Sequence, residues 1–252
     1  MSADACDRLI TSAPDLGDGV LAAFSGRAGG VSKPPYQSLN LGLGVDDDPA
    51  AVQANRAALA HACGLQPASL TFMRQVHGAD VWYAGPGSLK PPMPVDAMFT
   101  DVPGRALCVL VADCVPVLIA DPSARIVGAA HAGREGLVAG VVAALVSAMA
   151  AAGASPARMR AVTGPAICGG CYEVPAQMRA RVSAVVPAAS CDTVAGTAGL
   201  DIVAGVRAQL AEAGVGSITA DGRCTRESAD LYSYRRDSVT GRFAGLVWLS
   251  AA

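Results

Sequence analysis

The sequence predicts an α+β fold, and three observations support that class. Apolar, β-branched runs typical of buried strands are concentrated between residues 106 and 133, and most helical patterns come after them. Strands and helices follow one another at irregular spacing, which favours α+β over a doubly wound parallel sheet. The 252-residue chain is 52% hydrophobic and 16% charged, a composition typical of a compact globular protein. Since no long polar linker or fixed repeat divides the chain, we predict one domain over residues 1–252.

The first part of the chain predicts a strand, a long loop and a helix. Residues 1–18 are polar and are expected to form a flexible lead-in. They lack the basic and apolar regions of a signal peptide, so none is predicted here. A strand is predicted over VLAAFS (20–25), and the glycine-rich loop after it is of the kind that carries binding groups. Asp48 is placed to cap a helix that begins with Pro49 and ends at Gly64.

The later elements follow from changes in hydrophobic periodicity. Three buried neighbouring strands are predicted over ALCVLVAD (106–113), VPVLIAD (115–121) and RIVGAAHAG (125–133). The run from Gly136 to Ala152 predicts a buried helix, since it is short and alanine-rich for a membrane span. The remaining predictions are a strand over 158–164, helices within 175–186 and 200–214, and a final strand over 242–250.

Charge and cysteine usage narrow the class of protein. A formal net charge of −2, with scattered arginines, argues against a nucleic-acid partner, and no segment predicts a membrane span. The absence of a signal peptide predicts a cytoplasmic protein. In that compartment the eight cysteines are expected to be reduced thiols or metal ligands.

Three potential metal ligands fall at the ends of predicted strands. His77 follows the short run TFMRQVHG, Cys114 follows the strand at 106–113, and His131 ends the strand at 125–133. Because neighbouring strands bring their ends together, the three side chains are expected to converge. A thiolate and two imidazoles suit zinc and leave a fourth position open, as in catalytic sites, where zinc activates water at neutral pH. The local pattern alone equally allows two ordinary histidines and a packed thiol.

The wider sequence resembles a known family. RQVHGADV, ADCVPVLIAD, GAAHAGREG, GPAICGGCYEV and DLYSYRRDSVTGR occur in an order similar to that of the bacterial laccase-domain family, also described as purine nucleoside phosphorylases and peptidoglycan editing factors. The resemblance implies a four-layer αββα domain with zinc, and potentially copper, bound by His77, Cys114 and His131. It also implies phosphorolysis of adenosine, inosine, guanosine and methylthioadenosine, with adenosine deamination as a side activity.

Five further residues are candidates for binding substrate. Arg56 and Asn40 offer the charged and amide groups that a phosphate and a ribose need, and Gln75 and Asp113 lie close in sequence to the metal ligands. The family's usual HAGWRG reads HAGREG here, so arginine stands where tryptophan is usual and glutamate where arginine is usual. Arg134 is expected to supply the displaced positive charge.

Other classes of protein would use the same residues differently. A multicopper oxidase needs many more histidine ligands than the three in this chain. A cysteine hydrolase with Cys114 as nucleophile, acting on a peptidoglycan precursor, is the main alternative, and a noncatalytic metal-stabilised binding module is the third.

Two further motifs were given structural roles. CGGC (168–171) has no matching pair of cysteines, so a glycine turn with packed thiols is favoured over a redox pair or half of a second zinc site. The arginines of the run YSYRRDSVTGR could hold an anion, but a helix-free, solvated edge or turn is the favoured interpretation.

Overall fold

The computed structural model describes residues 9–88 and 90–251. Thirteen strands lie in these ranges. They are β1 Ile10–Ser12, β2 Val20–Ser25, β3 Leu70–Phe72, β4 Val81–Tyr83, β5 Ala97–Thr100, β6 Ala106–Val111, β7 Val115–Asp121, β8 Ile126–Ala132, β9 Arg160–Thr163, β10 Ser190–Asp192, β11 Ala198–Leu200, β12 Ser217–Ala220 and β13 Phe243–Leu249. The α-helices are α1 Pro49–Ala62, α2 Arg134–Ala139, α3 Val141–Ala151, α4 Ala176–Val185, α5 Ile202–Glu212 and α6 Tyr234–Asp237.

Most strands belong to two sheets. One sheet has five strands in the order β1-β2-β13-β6-β3, and the other has six in the order β12-β9-β7-β8-β5-β4. The long central strands are buried along their whole length, as in β7 and β8, because both faces of each sheet are covered. The predicted α+β class is confirmed.

Three apolar cores hold the elements together. The first lies between the two sheets and contains Phe24 of β2 and Leu118 of β7. Another joins the six-stranded sheet to α3 and α5 through residues such as Leu145 and Val206. The third packs α1 on the five-stranded sheet, with Leu59 at its centre.

Several predicted elements are confirmed. The strand at 20–25 is β2, and the carboxylate of Asp48 caps α1 by accepting a hydrogen bond from the backbone N–H of Ala50 at 2.9 Å. His61 lies in the last turn of α1. The helices within 175–186 and 200–214 are α4 and α5, and the final strand is β13.

Three predictions of local structure were wrong. The expected helix from Gly136 to Ala152 is divided into α2 and α3, because Gly140 has a left-handed backbone (φ 81°) that ends the first helix. The strands at 106–113, 115–121 and 125–133 are not three neighbours, since β7 pairs with β8 while β6 pairs with β13 and β3 in the other sheet. The run from Tyr232 contains a short helix, α6, with Ser233 as its cap.

Two further predictions concern the N-terminal segment and membrane-spanning helices. Of the expected flexible lead-in at 1–18, residues 1–8 lie outside the described residues, and Ile10–Ser12 form β1, which pairs antiparallel with β2. Among the described residues, no helix has the length and apolar character needed to cross a membrane.

Candidate metal centre and substrate pocket

His77, Cys114 and His131 converge on one point, and we refer to them as the metal triad. Cys114 lies in the short passage from β6 in one sheet to β7 in the other, and His131 is the next-to-last residue of β8. His77 lies in the loop between β3 and β4, not at the end of a strand as predicted. The backbone of His77 (φ 63°) and that of Asp113 (φ 101°) occupy the left-handed region, which is uncommon for residues other than glycine.

The distances within the triad suit a single metal ion. Its three ligand atoms all lie within 4.8 Å of one another, and Cys114 Sγ is 3.9 Å from His77 Nε2. Zinc bonds of about 2.3 Å to sulfur and about 2.0–2.1 Å to nitrogen place tetrahedral ligands roughly 3.6 Å apart. Only small movements would therefore close the triad around zinc.

Gly133 lies against the side chains of His77 and Cys114, and because it has no side chain of its own, it leaves them room to converge. A Cβ at this position would lie 2.7 Å from His77 Cδ2 and 3.0 Å from Cys114 Sγ, closer than real Cβ contacts allow. A larger residue would displace the side chains of His77 and Cys114. The donor set and this close packing fit a bound transition metal.

Asp96 holds two members of the triad, and the sequence-based prediction missed it. Its carboxylate accepts hydrogen bonds from the backbone N–H groups of Val76, His77 and Gly78 at 2.8–2.9 Å. The same carboxylate lies 2.8 Å from His131 Nδ1, which leaves Nε2 as the nitrogen available to a metal. Asp96 is completely buried, so this one side chain fixes both the loop of His77 and the ring of His131.

The metal-free triad favours a charged pair. Burial raises the pKa of the Cys114 thiol, but hydrogen bonds from His131 and His77 outweigh it and lower that pKa to about 6. Burial lowers the pKa of His131, but the hydrogen bonds to Asp96 and Cys114 outweigh it and raise that pKa to about 9. At neutral pH the site therefore offers a thiolate, the form in which cysteine binds metals or acts as a nucleophile.

The triad opens into a cavity of about 840 Å³. Among the described residues, its lining includes five arginines and one acidic residue, Asp113. The arginines are Arg56, Arg74, Arg134, Arg235 and Arg242. The aromatic rings of Phe72, Tyr172 and Tyr234 line the same space. A pocket of this size, with excess positive charge and aromatic walls, suits a small molecule that is anionic or that binds together with an anion.

Four of the five predicted substrate-binding residues line this pocket, namely Arg56, Gln75, Asp113 and Arg134. Arg56 stacks on the ring of Phe72 at 3.7 Å and donates two hydrogen bonds to the carbonyl of Leu41. The Gln75 amide pairs with the backbone of Leu110 in β6, donating at 2.7 Å and accepting at 2.9 Å. Asp113 accepts hydrogen bonds from the Thr225 hydroxyl and from the backbone N–H of Arg235, both at 2.6 Å.

Asn40 and Arg134 are placed differently from each other. Asn40 is completely buried and lies outside the pocket lining, and its amide bonds to Asp47 and to the backbones of Gly42 and Arg242. Arg134 lines the pocket at the start of α2 and donates two hydrogen bonds to Glu135 at 2.8 and 2.6 Å. The departure from HAGWRG thus supplies an arginine together with a carboxylate that engages it.

The sequence-based prediction also missed Arg235, Arg242 and Tyr172. The run YSYRRDSVTGR was interpreted as a solvated edge, but Arg235 and Arg242 line the pocket, and Arg235 lies 4.9 Å from the ring centre of Tyr172. Burial lowers the pKa of Arg242, the effect expected for a cation removed from bulk water. Repeated arginines beside aromatic residues were the available signal. For Asp96 the signal was a lone acid in the apolar run PVDAMF.

The family model described as multi-copper polyphenol oxidoreductase laccase matches residues 21–250. The chain belongs to this family. A purine nucleoside phosphorylase of Streptomyces coelicolor is 56% identical over 93% of this chain and 98% of its own length. Another of Corynebacterium glutamicum is 47% identical over 91% of this chain and 94% of its own.

Solved structures show the same fold. YlmD from Geobacillus stearothermophilus is 32% identical, with a TM-score of 0.86 and 93% of each chain covered. Neisseria meningitidis protein NMB0706 is 34% identical, with a TM-score of 0.83 over 95% of this chain and 99% of its own. The laccase-domain resemblance is confirmed. Of the three histidines in the chain, His77 and His131 belong to the triad, and His61 lies in α1.

Proposed function

We propose that this protein is a zinc-dependent purine nucleoside phosphorylase whose substrates include adenosine, inosine, guanosine and methylthioadenosine. The observation that supports this function is the meeting of the metal triad and five arginines in one pocket. The names of the curated relatives agree with it. Relatives of this kind bind a nucleoside and a phosphate, and the pocket volume and charge can accommodate both.

The arginines would hold the phosphate. Arg235 and Arg242 come from the segment before β13, and Arg56 comes from α1, so the positive charge surrounds the pocket. In phosphorolysis a phosphate oxygen bonds to the ribose C1′ while the bond from C1′ to the purine nitrogen breaks. The purine leaves with that electron pair and gains a proton. Fixed cations favour this step because they orient the phosphate and stabilise charge in the transition state.

The other lining residues would position the nucleoside. Tyr172 and Tyr234 present rings to the pocket on which a purine can stack, and Gln75 and Asp113 hold the wall beside the triad. Asn40 would act indirectly, because it lies outside the pocket lining and its amide holds the backbone of Gly42, which lines the pocket. When bound at the triad, zinc would supply a Lewis acid that polarises substrate or water. We further propose adenosine deamination as a side activity of the same pocket.

The experiment is to incubate the zinc-loaded protein with adenosine, with and without phosphate, and to separate the products by chromatography. Adenine and ribose 1-phosphate are expected only when phosphate is present, and inosine reports deamination. His77→Ala should lose both activities, and His61→Ala, in the last turn of α1, is the matched histidine control. No free base at high concentrations of zinc-loaded enzyme would refute the phosphorylase.

A cysteine hydrolase is the second candidate, and one observation favours it. Cys114, whose pKa is lowered to about 6, lies beside two imidazoles, which is the arrangement of an activated thiolate nucleophile. This alternative predicts a covalent intermediate on Cys114 and turnover without metal.

A further inference from the structure

A second group of metal-binding side chains lies apart from the triad. Cys168, Cys171, Cys224 and Glu227 place their ligand atoms within 4.8 Å of one another. We refer to them as the cysteine cluster. The CGGC motif supplies Cys168 and Cys171. Cys224 and Glu227 lie 56 residues after Cys168 and Cys171, respectively. The matching pair that the sequence did not reveal is therefore Cys224 with Glu227.

We propose that the cysteine cluster binds a second zinc ion, with a structural role. Three thiolates and a carboxylate complete a tetrahedral shell with no open position, which is the arrangement of structural zinc rather than catalytic zinc. Tetrahedral zinc places thiolate sulfurs about 3.8 Å apart, given bonds of about 2.3 Å. The ligand atoms lie within 4.8 Å of one another, a spacing that a single zinc ion can bridge, whereas an iron–sulfur cluster holds several iron and sulfide atoms between its thiolates.

The backbone already holds these residues in place. The N–H of Cys171 donates to the carbonyl of Cys168 at 3.0 Å, which folds the CGGC motif into a tight turn. The N–H of Cys168 donates to Cys224 Sγ at 3.4 Å, so this sulfur is an acceptor, as a thiolate ligand would be. Cys171 Sγ lies 3.4 Å from a carboxylate oxygen of Glu227, which brings the fourth ligand into contact with the thiols.

The packing of the CGGC turn argues for a maintained geometry. A Cβ on Gly169 would lie 2.8 Å from Cys191 Sγ and 2.9 Å from the Asp201 side chain. The turn therefore fits only with glycine at this position. Cys171 and Cys224 are buried, and Cys168 and Glu227 are more exposed, so an ion can reach the cluster from one side.

The second zinc would stabilise a wall of the substrate pocket. Ala166 and Cys224 form a β-bridge, and zinc would join the same two segments through side chains. Tyr172 directly follows Cys171 and lines the pocket, and Thr225 directly follows Cys224 and donates to Asp113. The cluster thus adjoins two residues that support the pocket, Tyr172 directly and Thr225 through Asp113. The proposal does not depend on which substrate the pocket binds.

Two simpler roles compete with zinc. A redox disulfide would use only Cys168 and Cys171 and would leave the convergence of Cys224 and Glu227 unexplained. Packed thiols would account for the two buried cysteines, since free cysteine behaves as a small hydrophobic residue, and for the contact between Cys171 and Glu227. They would not account for the convergence of three thiols and a carboxylate within 4.8 Å.

The test is elemental analysis of the purified protein after incubation with zinc and removal of free metal. Wild type should hold two zinc ions per chain, and the double variant His77→Ala/Cys114→Ala, which lacks the triad, should hold one. Cys224→Ser should also hold one. Cys63→Ser, at the end of α1, is the control for loss of a thiol elsewhere and should hold two.

A second measurement covers the case in which Cys224→Ser does not fold. Cobalt(II) bound by the His77→Ala/Cys114→Ala protein should give a strong thiolate-to-metal charge-transfer band, because three thiolates remain. A metal-free double variant after zinc incubation would overturn the proposal. So would mass spectrometry that finds a Cys168–Cys171 disulfide in protein purified under reducing conditions.

Discussion

The carboxylate of Asp96 lies 2.8 Å from His131 Nδ1, and both side chains are buried. Since Asp96 also accepts three backbone hydrogen bonds around His77, it connects two ligands that are 54 residues apart in the chain. A carboxylate in this position orients the imidazole and increases its basicity toward a metal.

Asp96→Asn is therefore expected to weaken zinc binding at the triad. The amide keeps the shape but loses the negative charge, and one of its two polar atoms can no longer accept hydrogen bonds. Loss of such a partner typically costs about 10- to 100-fold in metal affinity. Competition with a chromophoric chelator measures the effect. Asp101→Asn, an exposed residue after β5 that bonds to Tyr83, is the control, and equal affinities of the two variants would contradict the assigned role.

The metal-free protein should carry a thiolate at Cys114 down to about pH 6. Folding lowers the pKa of the Cys114 thiol from its ordinary value of about 8.5. The thiolate therefore contributes its full stabilisation of the folded state at pH values above that ordinary pKa. This contribution is lost as pH falls through about 6. A pH titration of thiolate ultraviolet absorbance in wild type, with Cys114→Ser subtracted, measures the midpoint. A midpoint above pH 8 would show that His77 and His131 do not stabilise the thiolate.

Glu135→Gln is expected to lower the KM for phosphate. In the wild type Glu135 accepts two hydrogen bonds from Arg134, so part of the positive charge facing the pocket is neutralised. Glu135 is exposed and Arg134 is partly exposed, and solvent-accessible pairs of this kind contribute about 0–1 kcal/mol, which corresponds to at most roughly a fivefold change. Steady-state kinetics with varied phosphate give the KM, and Glu212→Gln at the end of α5 is the control. An unchanged KM would place Arg134 outside the phosphate site.

The sequence predicted the triad for a partly incorrect reason. His77, Cys114 and His131 do converge, but not as three ends of neighbouring strands, because Cys114 lies where the chain passes from one sheet to the other. Hydrophobic periodicity identified β6, β7 and β8 individually. Which strands pair depends on contacts distant in sequence, and these leave no local pattern.

The same limit explains the residues that were missed. Asp96 acts through hydrogen bonds to residues 18–35 positions away, and Cys224 joins the CGGC motif from 56 positions away. Neither relationship changes local composition. The helix boundary at Gly140 was also missed, because a glycine in an apolar run signals a break only when its backbone adopts the left-handed conformation.

Cys114→Ser distinguishes the phosphorylase from the cysteine hydrolase, because a metal ligand and a nucleophile respond differently when oxygen replaces sulfur. As a ligand, serine is a harder and far less acidic donor, so the variant should lose the zinc ion of the triad and keep the zinc of the cysteine cluster. As a nucleophile, Cys114 could be replaced with no change in metal content, and wild type would form a trappable covalent adduct with substrate. We expect the metal content to fall by one ion per chain and phosphate-dependent base release to fall with it. Elemental analysis, product chromatography and mass spectrometry of the intact protein measure these three quantities on one preparation. A variant with full metal content but no turnover, together with an adduct on wild-type Cys114, would instead establish the hydrolase.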